Sequence, residues 1–125
     1  MREFWRFCLA GALAFLVDAG TLQVALAVGA NPYAGRVVSY LCAVTFTWWF
    51  NRTITFAGRG SKRRLAEWAT YGLSQLGGGS VNYAIYATLV YSLEVVQRWP
   101  VLGVAAGSVG GLAVNFMLAK RYVFR

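Results

Sequence analysis

The 125-residue chain contains no histidine and only four acids, Glu3, Asp18, Glu67 and Glu94. A metal centre needs clustered His, Cys or carboxylate ligands, and a hydrolytic triad needs an imidazole, so both lack raw material here. No catalytic residue, no metal and no cofactor is expected. The two cysteines, Cys8 and Cys42, both lie inside apolar segments. One is near the end of its segment and the other near the middle, so their depths differ too much for a bridge. Both read as small core hydrophobes. Charge is scarce as well. Only 13% of the residues are charged, about half the share found in a soluble domain.

What remains is apolar. Hydrophobic residues make up 58% of the chain and the mean hydropathy is +0.52. They come in long blocks rather than at the periods of half-buried strands or helices. Four blocks, 7–28, 33–50, 68–93 and 99–119, each supply the about 20 mostly apolar residues that span a bilayer. The first holds one charge, Asp18, the second holds Arg36, and the other two hold none. Trp5, Trp48, Trp49, Trp68 and Trp99 lie towards block ends, as interfacial anchors do. The basic start and Ala25-Leu26-Ala27 are reminiscent of a signal peptide. A signal core is only about 7 to 15 residues long, however, and this one carries an acid, so an uncleaved helix is expected.

The net charge of +8 does not point to nucleic acid. The cations sit in short segments between the apolar blocks, where orientation signals of membrane proteins belong. Arg2 and Arg6, then Arg52, Arg59, Lys62, Arg63 and Arg64, then Lys120, Arg121 and Arg125 make ten on one side. The other two connections hold Arg36 and Arg98 alone. Both termini and the central loop are therefore expected in the cytoplasm.

The chain also writes one passage twice. Thr47-Trp48-Trp49-Phe50-Asn51-Arg52-Thr53-Ile54-Thr55-Phe56 is echoed by Asn115-Phe116-Met117-Leu118-Ala119-Lys120-Arg121-Tyr122-Val123-Phe124. Placing Phe56 on Phe124, a shift of 68 residues, puts Arg52 on Lys120 and Trp48 on Phe116. The starts correspond too: Phe7-Cys8-Leu9-Ala10-Gly11 falls on Trp68-Ala69-Thr70-Tyr71-Gly72, and Asp18 falls on Asn82 after an insertion at the glycine run. The expected fold is an all-α membrane protein with four transmembrane helices, forming a single integral membrane domain over 1–125. It comprises two parallel-oriented helical hairpin repeats, 5–56 and 67–125, joined by a basic cytoplasmic loop, 57–66.

Several residues stand out against that plan. An acid near the bilayer centre costs about 2.5 to 3.5 kcal/mol on insertion scales, so Asp18 either locks helices together or couples to transport. Arg36 either snorkels to the outer head groups or turns inward to Asp18 or an anionic ligand. Gln75-Leu76-Gly77-Gly78-Gly79-Ser80-Val81-Asn82 places glycines and amides mid-membrane. It is either a close packing surface or the wall of a polar path faced by Gln75 and Asn82. Gly103, Gly107, Gly111 and Asn115 form a stripe at four-residue spacing, which packs within the chain or against a second copy. A thin bundle of this size is expected to form a homodimer. Asn51-Arg52 and Lys120-Arg121 either anchor the cytoplasmic ends or, with the aromatic that follows, frame a phosphate pocket.

These residues together resemble the GtrA-like family of small four-helix bacterial membrane proteins over nearly the whole chain. Arg6-Phe7 with Gly11, Asp18, the passage Trp48 to Phe56, and Asn115-Phe116 with Lys120-Arg121-Tyr122-Val123-Phe124 carry the likeness. Where the family has an amide before its final cations, this chain has Ala119. The resemblance implies a multi-pass protein of the bacterial cytoplasmic membrane that flips undecaprenyl or another polyprenyl phosphate, or its monosaccharide-linked form, for cell-surface polysaccharide synthesis. It implies a membrane glycosyltransferase in the same pathway and membrane lipids as partners. Arg52 and Arg121 would receive the phosphate, with Asn51 and Lys120 in the same binding site, Asp18, Gln75, Asn82 and Asn115 would surround the head group, and Arg36 would act near the outer face. Two other readings stay open: a non-transporting anchor subunit of a polyprenyl-phosphate glycosyltransferase, and a small-multidrug-type exporter.

Overall fold

The structure, a computed structural model, describes residues 1–125 and is helical throughout, with no strand. Its elements are α1 (Arg2–Ala27), α2 (Pro32–Phe50), α3 (Arg64–Ser92), the single-turn α4 (Glu94–Arg98) and α5 (Val101–Leu118). A π-helical turn extends α2 over Asn51–Thr55, and another extends α5 over Ala119–Val123. The chain divides into two compact units, Met1–Arg64 and Leu65–Arg125.

The first unit is an antiparallel hairpin. Gly29, at φ +89, stops α1 in the left-handed conformation that glycine adopts without strain. The Asn31 side chain then caps α2, its Oδ1 accepting the Tyr33 amide at 2.8 Å, and Pro32 opens the helix where no amide is needed. Near this turn Gly35 lies close on α1: an added Cβ would stand 3.4 Å from that of Ala25. At the far end Arg6 donates to the Ile54 carbonyl at 3.2 Å, and Arg59 meets Glu3 at 3.1 Å.

In the second unit α5 returns along α3. The stripe of every fourth residue on α5 packs on α3 of its own hairpin. A Cβ on Gly111 would stand 2.6 Å from the Gly78 carbonyl oxygen and 2.9 Å from Asn82 Cβ. One on Gly103 would stand 3.0 Å from the Tyr86 ring. Backbones this close gain dispersion contact that lipid cannot supply, which is how small residues join helices in apolar surroundings. At the closing end the Phe124 ring rests on Tyr71, centroids 6.0 Å apart, and both are buried.

Three boundaries differ from the sequence reading. The third helix starts at Arg64 rather than at residue 68, with Glu67 in a first turn whose dipole favours an acid. The third and fourth helices are joined through α4, whose Val96 is buried. The expected stubs after α2 and α5 stay helical, widened by one residue per turn. On length and apolar content, two helices meet the demand of a membrane span: α1, and α5 with its extension to Val123. Arg36 dilutes α2, and glycines and amides dilute α3.

The correspondence between the units is also structural. Gly35 meets Leu22 in the first, and Gly103 meets Tyr86 in the second. The partners are offset by 68 on one helix and by 64 on the other, and 64 is the offset that sets Asp18 on Asn82. At their starts the same two helices match at an offset of 61. The missing three residues are accounted for by α3, at 29 residues against 26 in α1, and lie in its glycine run.

The glycines of α3 and α5 are not equivalent, which yields a contrast. Gly111→Ala must push the helices apart against a carbonyl and is expected to cost about 1 to 3 kcal/mol. Gly79 has nothing within 4 Å of the added methyl, so Gly79→Ala should gain up to about 1 kcal/mol of helix propensity. Unfolding in detergent followed by circular dichroism should move the two midpoints in opposite directions.

Candidate functional site

The two charges inside the first hairpin meet. Arg36 Nη1 donates to Asp18 Oδ1 and also lies 3.3 Å from Ser39 Oγ. The Ser39 hydroxyl donates in turn to the Arg36 carbonyl at 3.0 Å. Arg36 therefore turns inward to the acid rather than outward to head groups. An ion pair between two helices in apolar surroundings offsets the cost of each charge alone. Only Nη1 is engaged, and the Arg36 side chain is 57% exposed against 20% for Asp18. The guanidinium has five N–H donors, so it keeps some for a second anion.

The second hairpin puts neutral groups in the matching places. Asn82 stands where Asp18 does, and the shift of 68 brings Val104 onto Arg36 and Gly107 onto Ser39. Asn82 lies against Gly107, and Asn115 lies against Gly78. Gln75 is one turn before Gly78 on the same helix. Gln75, Asn82 and Asn115 thus share the α3–α5 seam. Two atoms there have no hydrogen-bond partner although both are buried: Gln75 Nε2 and Asn115 Oδ1.

Cations mark the ends of both hairpins in the same register. Arg52 lies over the Trp48 ring, 5.9 Å from its centroid, and Lys120 lies 5.7 Å from that of Phe116. Each pair is a cation over the aromatic side chain one turn earlier, an attraction to the ring quadrupole. Arg52 is also fixed from the loop. Its Nη2 donates to the Ser61 carbonyl at 2.9 Å, and a Cβ on Gly60 would stand 2.7 Å from its guanidinium carbon. Arg121 packs against Tyr122 at 5.8 Å, and both Lys120 and Arg121 are exposed.

The π turn holds the cation and leads to the terminal aromatic. In each copy the phenylalanine amide bonds back five residues, Phe56 to the Asn51 carbonyl and Phe124 to that of Ala119, both at 2.8 Å. Phe56 is 1% exposed and Phe124 is fully buried. The aromatic expected to frame a phosphate pocket instead plugs the core of its own unit, because the wider turn swings it inward. Asn51 is buried as well, with the Thr55 hydroxyl donating to its Oδ1 at 2.7 Å. That makes Asn51 a structural amide of the turn, while the neighbouring Arg52 stays accessible. The second copy replaces this polar pair by Ala119 and Val123, both buried.

A shallow recess of about 300 Å³ on α3 is lined by Ala84, Ile85, Thr88 and Leu89. It offers no charge and no amide, so it suits an apolar chain and not a polar head. Sequence reasoning missed Ser39, Thr55 and the Gly60 seat of Arg52. Ser39 and Thr55 carried a usable signal, since each falls on a matching position, Gly107 and Val123, once the shift of 68 is applied. Gly60 carried none.

The arrangement defines a class: a helical membrane protein made of two matched hairpins, each ending in a cation set on an aromatic ring. The family description GtrA/DPMS, transmembrane domain, matches residues 6–124, and the chain belongs to that family. No curated protein matches it. Membership makes the chain a membrane protein of polyprenyl-phosphate sugar pathways.

The exchange of Asn51 and Thr55 for an apolar pair can be measured. Thr55→Val alone removes a donor from a buried amide and is expected to cost about 1 to 3 kcal/mol. Asn51→Ala with Thr55→Val should cost less than the sum of the single changes, because the second copy already works that way. A double-mutant cycle on unfolding in detergent would show the coupling, and strict additivity would refute it.

Proposed function

We propose that the chain translocates a polyprenyl phosphate, or its monosaccharide-linked form, across the bacterial cytoplasmic membrane. It would cross the membrane four times, with both termini and the central loop inside, and catalyse no bond making or breaking. Family membership supplies the lipid class. The observation that carries the reading is the cation at the matching end of each hairpin, Arg52 seated by Trp48 and Gly60, and Lys120 on Phe116.

Guanidinium and ammonium groups bind phosphate through charge-assisted hydrogen bonds, and an arginine already held in place loses little freedom on binding. Arg52, Lys120 and Arg121 would take the phosphate at the basic end of each hairpin. Arg36, with donors left over beside Asp18, would meet it at the other level of the first hairpin. The prenyl tail needs no shelter, since lipid solvates it throughout. Only the head group needs polar partners, and the seam of each hairpin holds them. The partners proposed are the lipid substrate, membrane lipids, a membrane glycosyltransferase of the same pathway and a second copy of the chain. Nucleic acid has no place in the scheme. With the glycine stripe of α5 packed inside its own hairpin, that stripe offers no docking surface, which weighs against a purely anchoring subunit.

The test is transbilayer movement of a labelled polyprenyl-phosphoryl hexose in liposomes holding the pure protein. Wild type should accelerate it, and Arg52→Ala should slow it about tenfold or more, the loss expected for one charged hydrogen bond. Asp18→Asn should slow it by releasing Arg36. If wild type gives no acceleration, the transport reading fails and the anchor becomes the better one. Reporter fusions should place residues 30 and 97 outside and residues 60 and 125 inside.

A further inference from the structure

We infer that Glu3, Arg59 and Gly60 are positioning residues for Arg52: they hold a backbone strap, residues 57–61, against its guanidinium. The inference rests on the phosphate role given to Arg52 above and deepens it, by naming what fixes the arginine before a ligand arrives.

The strap is built within the first hairpin. It leaves the π turn at Phe56, whose buried ring anchors one end. Gly58, at φ +82, turns the chain in a conformation that side chains rarely adopt. The Arg59 amide donates back to the Phe56 carbonyl at 3.0 Å. The Arg59 side chain then reaches Glu3, in the first turn of α1, at 3.1 Å. Nearby on α1, Arg6 donates to the Ile54 carbonyl. The start of α1 therefore ties down both the turn that carries Arg52 and the strap that follows it.

The strap meets Arg52 at two consecutive residues. The Ser61 carbonyl accepts from Nη2 at 2.9 Å. A Cβ on Gly60 would stand 2.7 to 3.0 Å from three guanidinium atoms, so the seat leaves no room for a side chain there. A carbonyl orients a guanidinium but brings no charge to cancel it, so such a seat is compatible with an anion. Ordering a loose, rotamer-rich side chain on binding weakens affinity about two- to tenfold, a loss that a seated arginine avoids. A partly exposed ion pair adds little stability of its own, so the Glu3–Arg59 bridge should matter for binding more than for unfolding.

Equilibrium binding of a short-chain prenyl phosphate in detergent, read by isothermal titration, tests the inference. Glu3→Gln and Arg59→Gln change the net charge in opposite directions, yet both break the bridge. Each should weaken binding about two- to tenfold. Gly60→Ala, whose methyl group displaces the guanidinium, should do the same, and all three should keep unfolding midpoints close to wild type. In an Arg52→Ala background none of the three should weaken binding further. The exchanged pair, Glu3→Arg with Arg59→Glu, should recover most of the loss. If Glu3→Gln tightens binding while Arg59→Gln weakens it, long-range charge alone is at work and the inference falls. Losses that persist without Arg52 overturn it too. Amide hydrogen exchange over residues 57–63 separates the strap from the reading it rests on. Faster exchange in Glu3→Gln and Arg59→Gln, with no binding of prenyl phosphate by wild type, keeps the strap and removes the phosphate role of Arg52. Unchanged exchange in both variants overturns the strap, whatever the binding shows.

Discussion

A polar atom inside a hydrocarbon layer has no water to fall back on, so its partner must come from the chain or from what the chain carries. That constraint accounts for most of what is specific in this fold. Asp18 draws Arg36 inward, against the tendency of a long cation near a helix end to reach for the surface. Ser39 completes the cluster by serving both the guanidinium and the carbonyl one turn behind it. In the widened turn after α2, Asn51 is buried with the Thr55 hydroxyl on its oxygen. Where the second hairpin lacks these polar groups, alanine and valine fill the space and the turn is unchanged. Gln75 and Asn115 are the exception, each with one buried polar atom that has no hydrogen-bond partner.

The two hairpins show how a backbone frame can be kept while its contents diverge. Both have a long first helix, a small-residue approach in the second, a cation over an aromatic one turn earlier, a five-residue hydrogen bond and a buried phenylalanine. What differs is charge. The first hairpin pairs an acid with a base, and the second has an amide and a valine at the matching positions. The longer glycine-bearing α3 belongs with this divergence, since it brings Gly78 under Asn115 and sets the amides into the seam.

Much of this was legible in the sequence, and for a physical reason. Long apolar blocks leave little choice of secondary structure, so the helical class and the turn at Gly29-Ala30-Asn31-Pro32 follow directly. The repeat was legible because an aromatic and a cation four residues apart recur with a fixed tail. The ion pair of Asp18 with Arg36 was one of two readings, and the distance between helices decided it. The π turns were not legible, since one extra residue per turn leaves no mark on composition. For that reason Phe56 and Phe124 read as aromatics that could frame a phosphate pocket, whereas the wider turn buries them. The direction of the α5 stripe was equally silent, because small residues at four-residue spacing join any two helices, from one chain or from two. The helical α4 and the early start of α3 depend on tertiary contact and dipole effects rather than on hydrophobic pattern.

The central claim is that the polar seams of the hairpins, and the cations at their ends, handle the head group of a phosphorylated prenyl lipid. Photolabelling in membranes tests it most directly, using a polyprenyl phosphate with a photoreactive group beside the phosphate and mapping the labelled peptides by mass spectrometry. The account predicts label on the segments holding Arg52 and Lys120-Arg121. Label confined to the apolar recess of Ala84, Ile85, Thr88 and Leu89, or spread evenly over lipid-facing residues, would contradict it.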